Sequence, residues 1–433
     1  MILKFRIAPV RAVAVPSVLA LIVLSVRCLV AENDFNVYLH AGVRLLAGEN
    51  PYLPPHHHGL HYYYSPFFAC VMAVFQQVPV WTSKAVWWLI SLLCLVRSAS
   101  LILRWWNHWP FRFPMRFMGW LLLVSTGYCL ANLWTGQLTI FLLWSILETE
   151  RLTGAGKSKT AALILGTAAQ IKIIPVLFLF WLLQTGKWKT TVYSIFWMIC
   201  LTLLPALFVG WNQNLSLTAS WWEQINPLNG EHAVNLQAGF LDAGSLIAKY
   251  CSDTVIHGEQ TTALFHLSPA SVAWLTLFTR IFILASVLFF SGRLMRGHSR
   301  FSHIGHKLAL CGLLAAIPVL FPHQRFYSFL FTVPALLFVG YFLSIQSLFT
   351  LKQKWFSLIA TFAMFILLAP FAGTDTLGPW LSVWNDYRLF SLGGILLLPI
   401  YYSMAFRACK AEVYTWTAIP GRPHTFEITI SRT

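Results

Sequence analysis

The sequence predicts an all-α, polytopic membrane protein. Three observations carry this. Of 433 residues, 58% are hydrophobic and only 10% are charged, against about 25% charged in a soluble chain. The mean hydropathy is +0.66, more apolar surface than a soluble core of this size can absorb. Apolar runs of helix length recur from end to end, which a bilayer needing about 20 residues per spanning helix accommodates.

The candidate spans lie at about 10–30, 82–103, 117–131, 138–149, 160–171, 173–185, 190–210, 273–291, 307–321, 326–346, 355–371 and 387–406. That is about twelve transmembrane or half-length helices. Several are too short for a hydrocarbon core of roughly 30 Å. Broken helices near 131–138 and 172 explain the shortfall, because irregular backbone at depth is tolerated where protein or a wet cavity covers it. Residues 1–406 are expected to form one membrane domain and 407–433 a polar cytoplasmic tail.

Orientation follows from Lys and Arg. With an even number of spans, both termini lie on one side. Lys4, Arg6 and Arg11 fall there, with Arg97, Arg104, Arg112, Arg116, Arg151, Lys157, Lys159, Lys187, Lys189, Arg293, Arg296, Arg300, Lys307, Lys352, Lys354, Arg407 and Lys410. Glu32, Asp34, Glu49, Glu223, Glu231, Asp242, Asp253, Glu259, Asp375 and Asp386 map to the opposite, outer side. The formal net charge of +16 therefore expresses topology. Its basic residues are scattered over short loops, which excludes a nucleic-acid surface.

The first element resembles a signal peptide, but the apolar run is long and no small-x-small cleavage site precedes Glu32. Retention as a membrane anchor is expected. The outer segment 31–81 follows. Phe35, Tyr38, Leu39, Leu45 and Leu46 make part of it amphipathic, and residues 66–79 form a short apolar piece ending at Pro79. Both read as interfacial or re-entrant helices. The second large outer segment, 211–272, holds Trp221-Trp222-Glu223 and Asn235-Leu236-Gln237. The Cys residues show no disulfide or zinc spacing and pack as small hydrophobes.

Chemically capable residues concentrate at outer helix ends. Asp34 lies just past the first apolar run. Asn132-Leu133-Trp134-Thr135-Gly136-Gln137 is a tight turn. Lys172 interrupts an apolar stretch that restarts at Pro175. Phe321-Pro322-His323-Gln324-Arg325-Phe326-Tyr327 is another short turn. An ionisable group at membrane depth is a functional hypothesis by default. Lys172 and Arg325 suit a phosphate, as point charge and bidentate fork. Simpler readings stand beside these. Asp34 is then a solvated helix end, Lys172 snorkels, Arg325 anchors in headgroups, and His323 and Gln137 complete turns. His56-His57-His58 with His61 reads as a solvated loop. Three adjacent His cannot all face one ion on a regular helix, and no carboxylate stands at a fixed spacing. No metal and no cofactor are expected, and no Gly-rich phosphate loop is present.

Asp34-Phe35-x-Val37-Tyr38, Gly48-x-Asn50-Pro51-Tyr52, Tyr64-Ser65-Pro66, Gly136-Gln137 and Ile171-Lys172-x-x-Pro175 together resemble, in order and spacing, glycosyltransferase family 87. These are polytopic enzymes of GT-C fold that include mycobacterial α-1,2-mannosyltransferases. The similarity runs from about 20 to 340. Two features depart from it: Tyr64-Ser65-Pro66 replaces the usual Tyr-Pro-Pro, and the loop before Tyr62 is His-rich. The resemblance implies a polyprenyl-phosphate sugar donor, often of mannose, and transfer on the non-cytoplasmic side of the plasma membrane. The acceptor is then a lipid- or glycan-linked hydroxyl, with Asp34 as general base. Lys172, His323, Arg325, Gln137, Tyr38, Tyr64, Glu223 and Gln237 form the candidate donor- and substrate-binding set. The rival readings are a flippase for a lipid-linked sugar, and a ligase with a diphosphate-linked donor. No matched pair of broken helices in two repeated halves favours the flippase.

Overall fold

A computed structural model describes Val26 and residues 28–107, 115–226, 239–252, 263–296, 302–344 and 379–411. It also describes scattered positions between 355 and 368, and residues 415–418 and 426–429. The expected span 10–30 lies almost wholly outside the described residues, and 355–371 largely so.

The described chain is helical almost throughout. Helix α1 (Asp34–Leu46) starts because Asn33 Oδ1 accepts from the backbone N–H of Phe35. Helix α2 (Pro66–Phe75) starts at Ser65, whose hydroxyl accepts from Phe68 N–H, with Pro66 at the position where its missing N–H costs nothing. The two helices touch through Gly42, where a Cβ would sit 2.6 Å from Ala73 N and 2.7 Å from the Met72 carbonyl carbon. Only a glycine lets the backbones approach this closely.

Then follow α3 (Val80–Asn107), α4 (Met115–Thr135), α5 (Thr139–Gly154), α6 (Ser158–Ile171), α7 (Leu177–Gln184), α8 (Trp188–Leu203), α9 (Ala206–Val209) and α10 (Trp211–Ile225). Helices α11 (Ala243–Cys251), α12 (Pro269–Arg296), α13 (Ser302–Leu320), α14 (Val333–Ser344), α15 (Pro379–Asp386) and α16 (Leu389–Ala411) complete the bundle. Short 3₁₀ turns at Ile174–Val176 and Phe326–Thr332 precede α7 and α14.

Among the described residues, four helical segments are long and apolar enough to cross a membrane: Val80–Trp105, Trp188–Val209, Pro269–Arg296 and Leu389–Cys409. A fifth arises if the pair Val124–Thr135 and Thr139–Gly154, bent by 117°, is one broken span. The expectation of about twelve included half-length helices, and its segments 10–30 and 355–371 lie largely outside the described residues. Pro66–Phe75, Ile174–Gln184, Gly305–Leu320 and Phe326–Phe342 are apolar but short, because turns cut them before they reach bilayer length. The spans direct much of their apolar surface outward: Phe196, Ile199, Trp274, Phe278 and Phe282 are all exposed. In water such a surface would aggregate, and in a bilayer it is the solvated face.

Inside the bundle, tyrosine hydroxyls tie distant helices together. Tyr401 donates to Leu308 O at 2.6 Å, and Tyr402 and Ser291 share a hydrogen bond of 2.7 Å. Helix α16 runs to Ala411, past the expected domain edge at 406. In the tail, β1 (Thr415–Ala418) pairs antiparallel with β2 (Phe426–Thr429), Thr415 facing Thr429. That ribbon departs from the all-α expectation, and the membrane part conforms to it.

Candidate active site

The helix breaks expected near 131–138 and 172 are where the site is built. At the first, Gly136 has φ 69°, and a Cβ there would meet Phe35 Cβ at 3.0 Å. The glycine turns the chain and lets it press on the start of α1. Asn33 Nδ2 donates to Trp134 O at 3.2 Å and Trp87 Nε1 to Gly136 O at 2.9 Å, fixing the turn from both sides. Gln137, buried, then donates from Nε2 to Asp34 Oδ2. The Tyr38 hydroxyl donates back to Gln137 Oε1 at 3.4 Å and shares a 2.9 Å hydrogen bond with the Tyr64 hydroxyl. A further side-chain hydrogen bond links Tyr327 to Gln137. Residues from four separate stretches of chain thus meet around one carboxylate.

At the second break, α6 ends at Ile171 and Lys172 is extended. This aims its ammonium at the aromatic wall, 5.3 Å from the Tyr64 ring centroid. The third group comes from the turn after α13. His323 adopts φ 57° and stacks on Tyr63 with ring centroids 4.5 Å apart. Arg325 lies over Phe240 at 5.1 Å.

These residues line a single cavity of about 460 Å³. Asp34, Tyr38, Tyr64, Gln137, Lys172, His323 and Arg325 all contribute to its wall. So do Ile173, Ile174, Val176, Leu177 and Phe180 after the second break, and Leu277, Arg280, Ile281 and Leu284 of α12. The α12 positions recur at helical spacing, which places them on one face.

Burial pushes the Asp34 carboxyl above its ordinary pKa, while the positive charges of Arg325 and then Lys172 pull it back down. The two cations thus act electrostatically on the same carboxylate across the cavity. A carboxyl raised in this way is more basic than a solvated carboxylate.

Two expected site residues are not brought in. Glu223 is exposed, and the cavity is lined instead by Trp222, Gln224 and Ile225. Gln237 lies outside the described residues. Conversely, Tyr63, Phe240, Arg280 and Tyr327 line the cavity without having been foreseen. Arg280 escaped sequence reasoning although an ionisable residue inside an apolar run is a signal in its own right. It is buried and pairs with Asp242 at 3.0 Å. The aromatic residues carry no such signal, since Tyr and Phe abound in this chain.

In the His-rich loop, spacing along the chain conceals a spatial grouping. Glu32 Oε2 lies 3.4 Å from His57 Nε2 and 2.9 Å from His58 Nε2. The carboxylate arrives from 25 residues upstream of His57, where no motif spacing would reveal it.

A family model described as glycosyltransferase family 87 matches residues 62–302, more than half of the chain. The matched segment contains Tyr64, Gln137 and Lys172. Asp34, Tyr38, His323 and Arg325 fall outside it, so their placement rests on the cavity geometry. No curated protein and no solved structure matches the chain.

Proposed function

The chain belongs to glycosyltransferase family 87 and is a glycosyltransferase, and on that premise we propose that its donor is a polyprenyl-phosphate hexose. One observation carries this reading: a single cavity joins a carboxylate and two cations to a long apolar wall. A lipid-phosphate donor needs both. Lys172 and Arg325 match the phosphate, and Ile173, Ile174, Val176, Leu177, Phe180, Leu277, Ile281 and Leu284 offer a surface for the isoprenoid chain. The resemblance favours mannose as the sugar and a lipid- or glycan-linked hydroxyl as the acceptor. The Lys/Arg asymmetry along the sequence favours a cavity facing the non-cytoplasmic side of the plasma membrane.

The reaction is a single inverting displacement. The acceptor oxygen attacks the anomeric carbon while the bond from that carbon to the phosphate oxygen breaks. Asp34 takes the hydroxyl proton, and polyprenyl phosphate leaves with its charge stabilised by Lys172, Arg325 and His323. A phosphate is a good leaving group, so one carboxylate suffices, unlike the pair used in glycoside hydrolysis. Gln137 holds Asp34 in place through its amide, and Tyr38 orients Gln137 in turn.

The test is transfer by the purified chain in lipid nanodiscs, supplied with polyprenyl-phosphate mannose and a lipid acceptor. A new glycoside formed with release of polyprenyl phosphate is expected. Movement of the donor across the bilayer with no glycoside would make the protein a flippase. Turnover only with diphosphate-linked donors would make it a ligase.

A further inference from the structure

We propose that Glu32, His57 and His58 form a binding site for a divalent transition-metal ion of the zinc type. This goes beyond the transfer reaction and holds whichever donor the cavity takes. Their ligand atoms, one carboxylate oxygen and two imidazole nitrogens, all lie within 4.8 Å of one another. The two Glu32 contacts, 2.9 and 3.4 Å, bracket the separation of about 3.3 Å between ligand atoms around a tetrahedral ion with metal–nitrogen bonds of about 2.0–2.1 Å. Two imidazoles and one carboxylate are the donor set of open, three-ligand zinc sites, in which water takes the fourth position. Nitrogen donors select against magnesium and calcium, which prefer all-oxygen shells.

Two further observations point to a ligand. His57 Nε2 is shut off from solvent and makes no well-formed hydrogen bond, its Glu32 contact standing at 3.4 Å, and buried ring nitrogens ordinarily have one. The backbone is also held in an unfavourable form to present these rings. His58 has φ 49° and Gly59 φ 73°, two successive left-handed residues of which only the glycine adopts that form freely. This reversal puts His57 and His58 on the same side of the loop, which a regular helix or strand would not do for adjacent residues. Such a conformation persists only when something fixes it.

The position gives the ion a role. Arg44 anchors the near end of the same loop, donating to the carbonyls of Leu53 and Pro55, the latter at 3.2 Å. The far end continues directly into Gly59, Leu60, His61, Tyr63 and Tyr64, which line the cavity. Glu32 stands two residues before Asp34. An ion held by all three would clamp the cavity rim to the segment that carries Asp34.

The experiment is metal content of the full-length protein in nanodiscs, purified without a polyhistidine tag, incubated with micromolar Zn²⁺ and then desalted. Wild type is expected to retain one equivalent of zinc. Glu32→Gln and His57→Ala/His58→Ala are expected to bind at least about tenfold more weakly, since even the outer partners of metal ligands are worth 10–100-fold in affinity. Glu32 and His58 are exposed, so these variants are expected to fold, and an unchanged gel-filtration profile verifies it. His56→Ala/His61→Ala, which removes the neighbouring ring pair 4.2 Å apart, should keep the zinc. As a second readout, zinc should slow protease cleavage within residues 53–64 of wild type and leave cleavage of Glu32→Gln unchanged. Absence of retained zinc in wild type overturns the site. So does equal binding by His57→Ala/His58→Ala, or loss of zinc only in His56→Ala/His61→Ala.

Discussion

Asp242 and Asp34 both sit at the start of a helix, where the helix dipole favours a carboxylate, but their surroundings differ. Asp242 Oδ1 accepts from the N–H groups of Gly244 at 2.8 Å and Ser245 at 3.3 Å, and from Arg280 Nη2 at 3.0 Å. Its hydrogen bonding is spent on holding α11 to α12. Capping of α1 falls instead to Asn33, which leaves Asp34 with Gln137 as its hydrogen-bond partner among the described residues and with a side chain facing the cavity. The cations that act on Asp34 are kept across open space, while the cation that meets Asp242 is in contact. A carboxylate that caps a helix and touches a cation builds structure, and one held by a single amide donor while facing a cavity is placed to take a proton.

The sharpest way to break this comparison is to neutralise Asp34. Asp34→Asn keeps the shape and an oxygen for Gln137 but removes the proposed base. Transfer should fall by about 10²–10⁴-fold, the usual worth of general-base catalysis, while thermal stability stays within roughly 1 kcal/mol. A well-folded variant that transfers sugar at the wild-type rate would end the assignment.

Asp242→Ala should do the reverse. It leaves Arg280, whose side chain is 8% exposed, without its partner, and breaking a buried pair costs about 3–5 kcal/mol. The expected result is a large drop in the unfolding midpoint of the solubilised protein. If stability is unchanged and only donor use suffers, Asp242 belongs to the substrate machinery and the contrast between the two residues collapses.

What the sequence disclosed follows the same division. The breaks at Gly136 and Lys172 were legible because a glycine and a lone cation interrupt apolar runs, and both turned out to shape the cavity. Asp34 was legible as a carboxylate beside an apolar run. The meeting of Asp34 with Gln137 was not, because 103 residues separate them and no local pattern encodes that contact. The short helices Pro66–Phe75 and Ile174–Gln184 were legible for a related reason, because their apolar runs are too brief for a bilayer. Glu223 does not line the cavity although Trp222, Gln224 and Ile225 beside it do, a distinction no local pattern encodes.

Smaller effects sharpen the role of the two cations. Lys172→Ala and Arg325→Ala each remove a charge-assisted contact to the proposed phosphate, worth about 1.5–3 kcal/mol. A rise in KM for the lipid donor of roughly ten- to hundredfold is expected, with the acceptor KM nearly unchanged. If the acceptor KM rises instead, the cations grip the wrong substrate and the cavity must be read in the opposite direction.

The finest prediction concerns pH. Burial raises the Asp34 pKa, and Arg325 followed by Lys172 opposes that rise. As base, Asp34 must be ionised, so kcat/KM should fall as pH drops through this raised value, which lies above that of a solvated aspartate. Removing a cation removes a charge that favours the ionised form. The acid limb of kcat/KM in Arg325→Ala or Lys172→Ala should therefore move to higher pH. Asp242→Ala, if enough folded protein survives to assay, should leave the limb where it is, because Asp242 takes no part in the proton transfer. A limb that stays fixed in both cation variants would mean that Arg325 and Lys172 do not act on the group that accepts the proton, and the base would have to be sought elsewhere on the cavity wall.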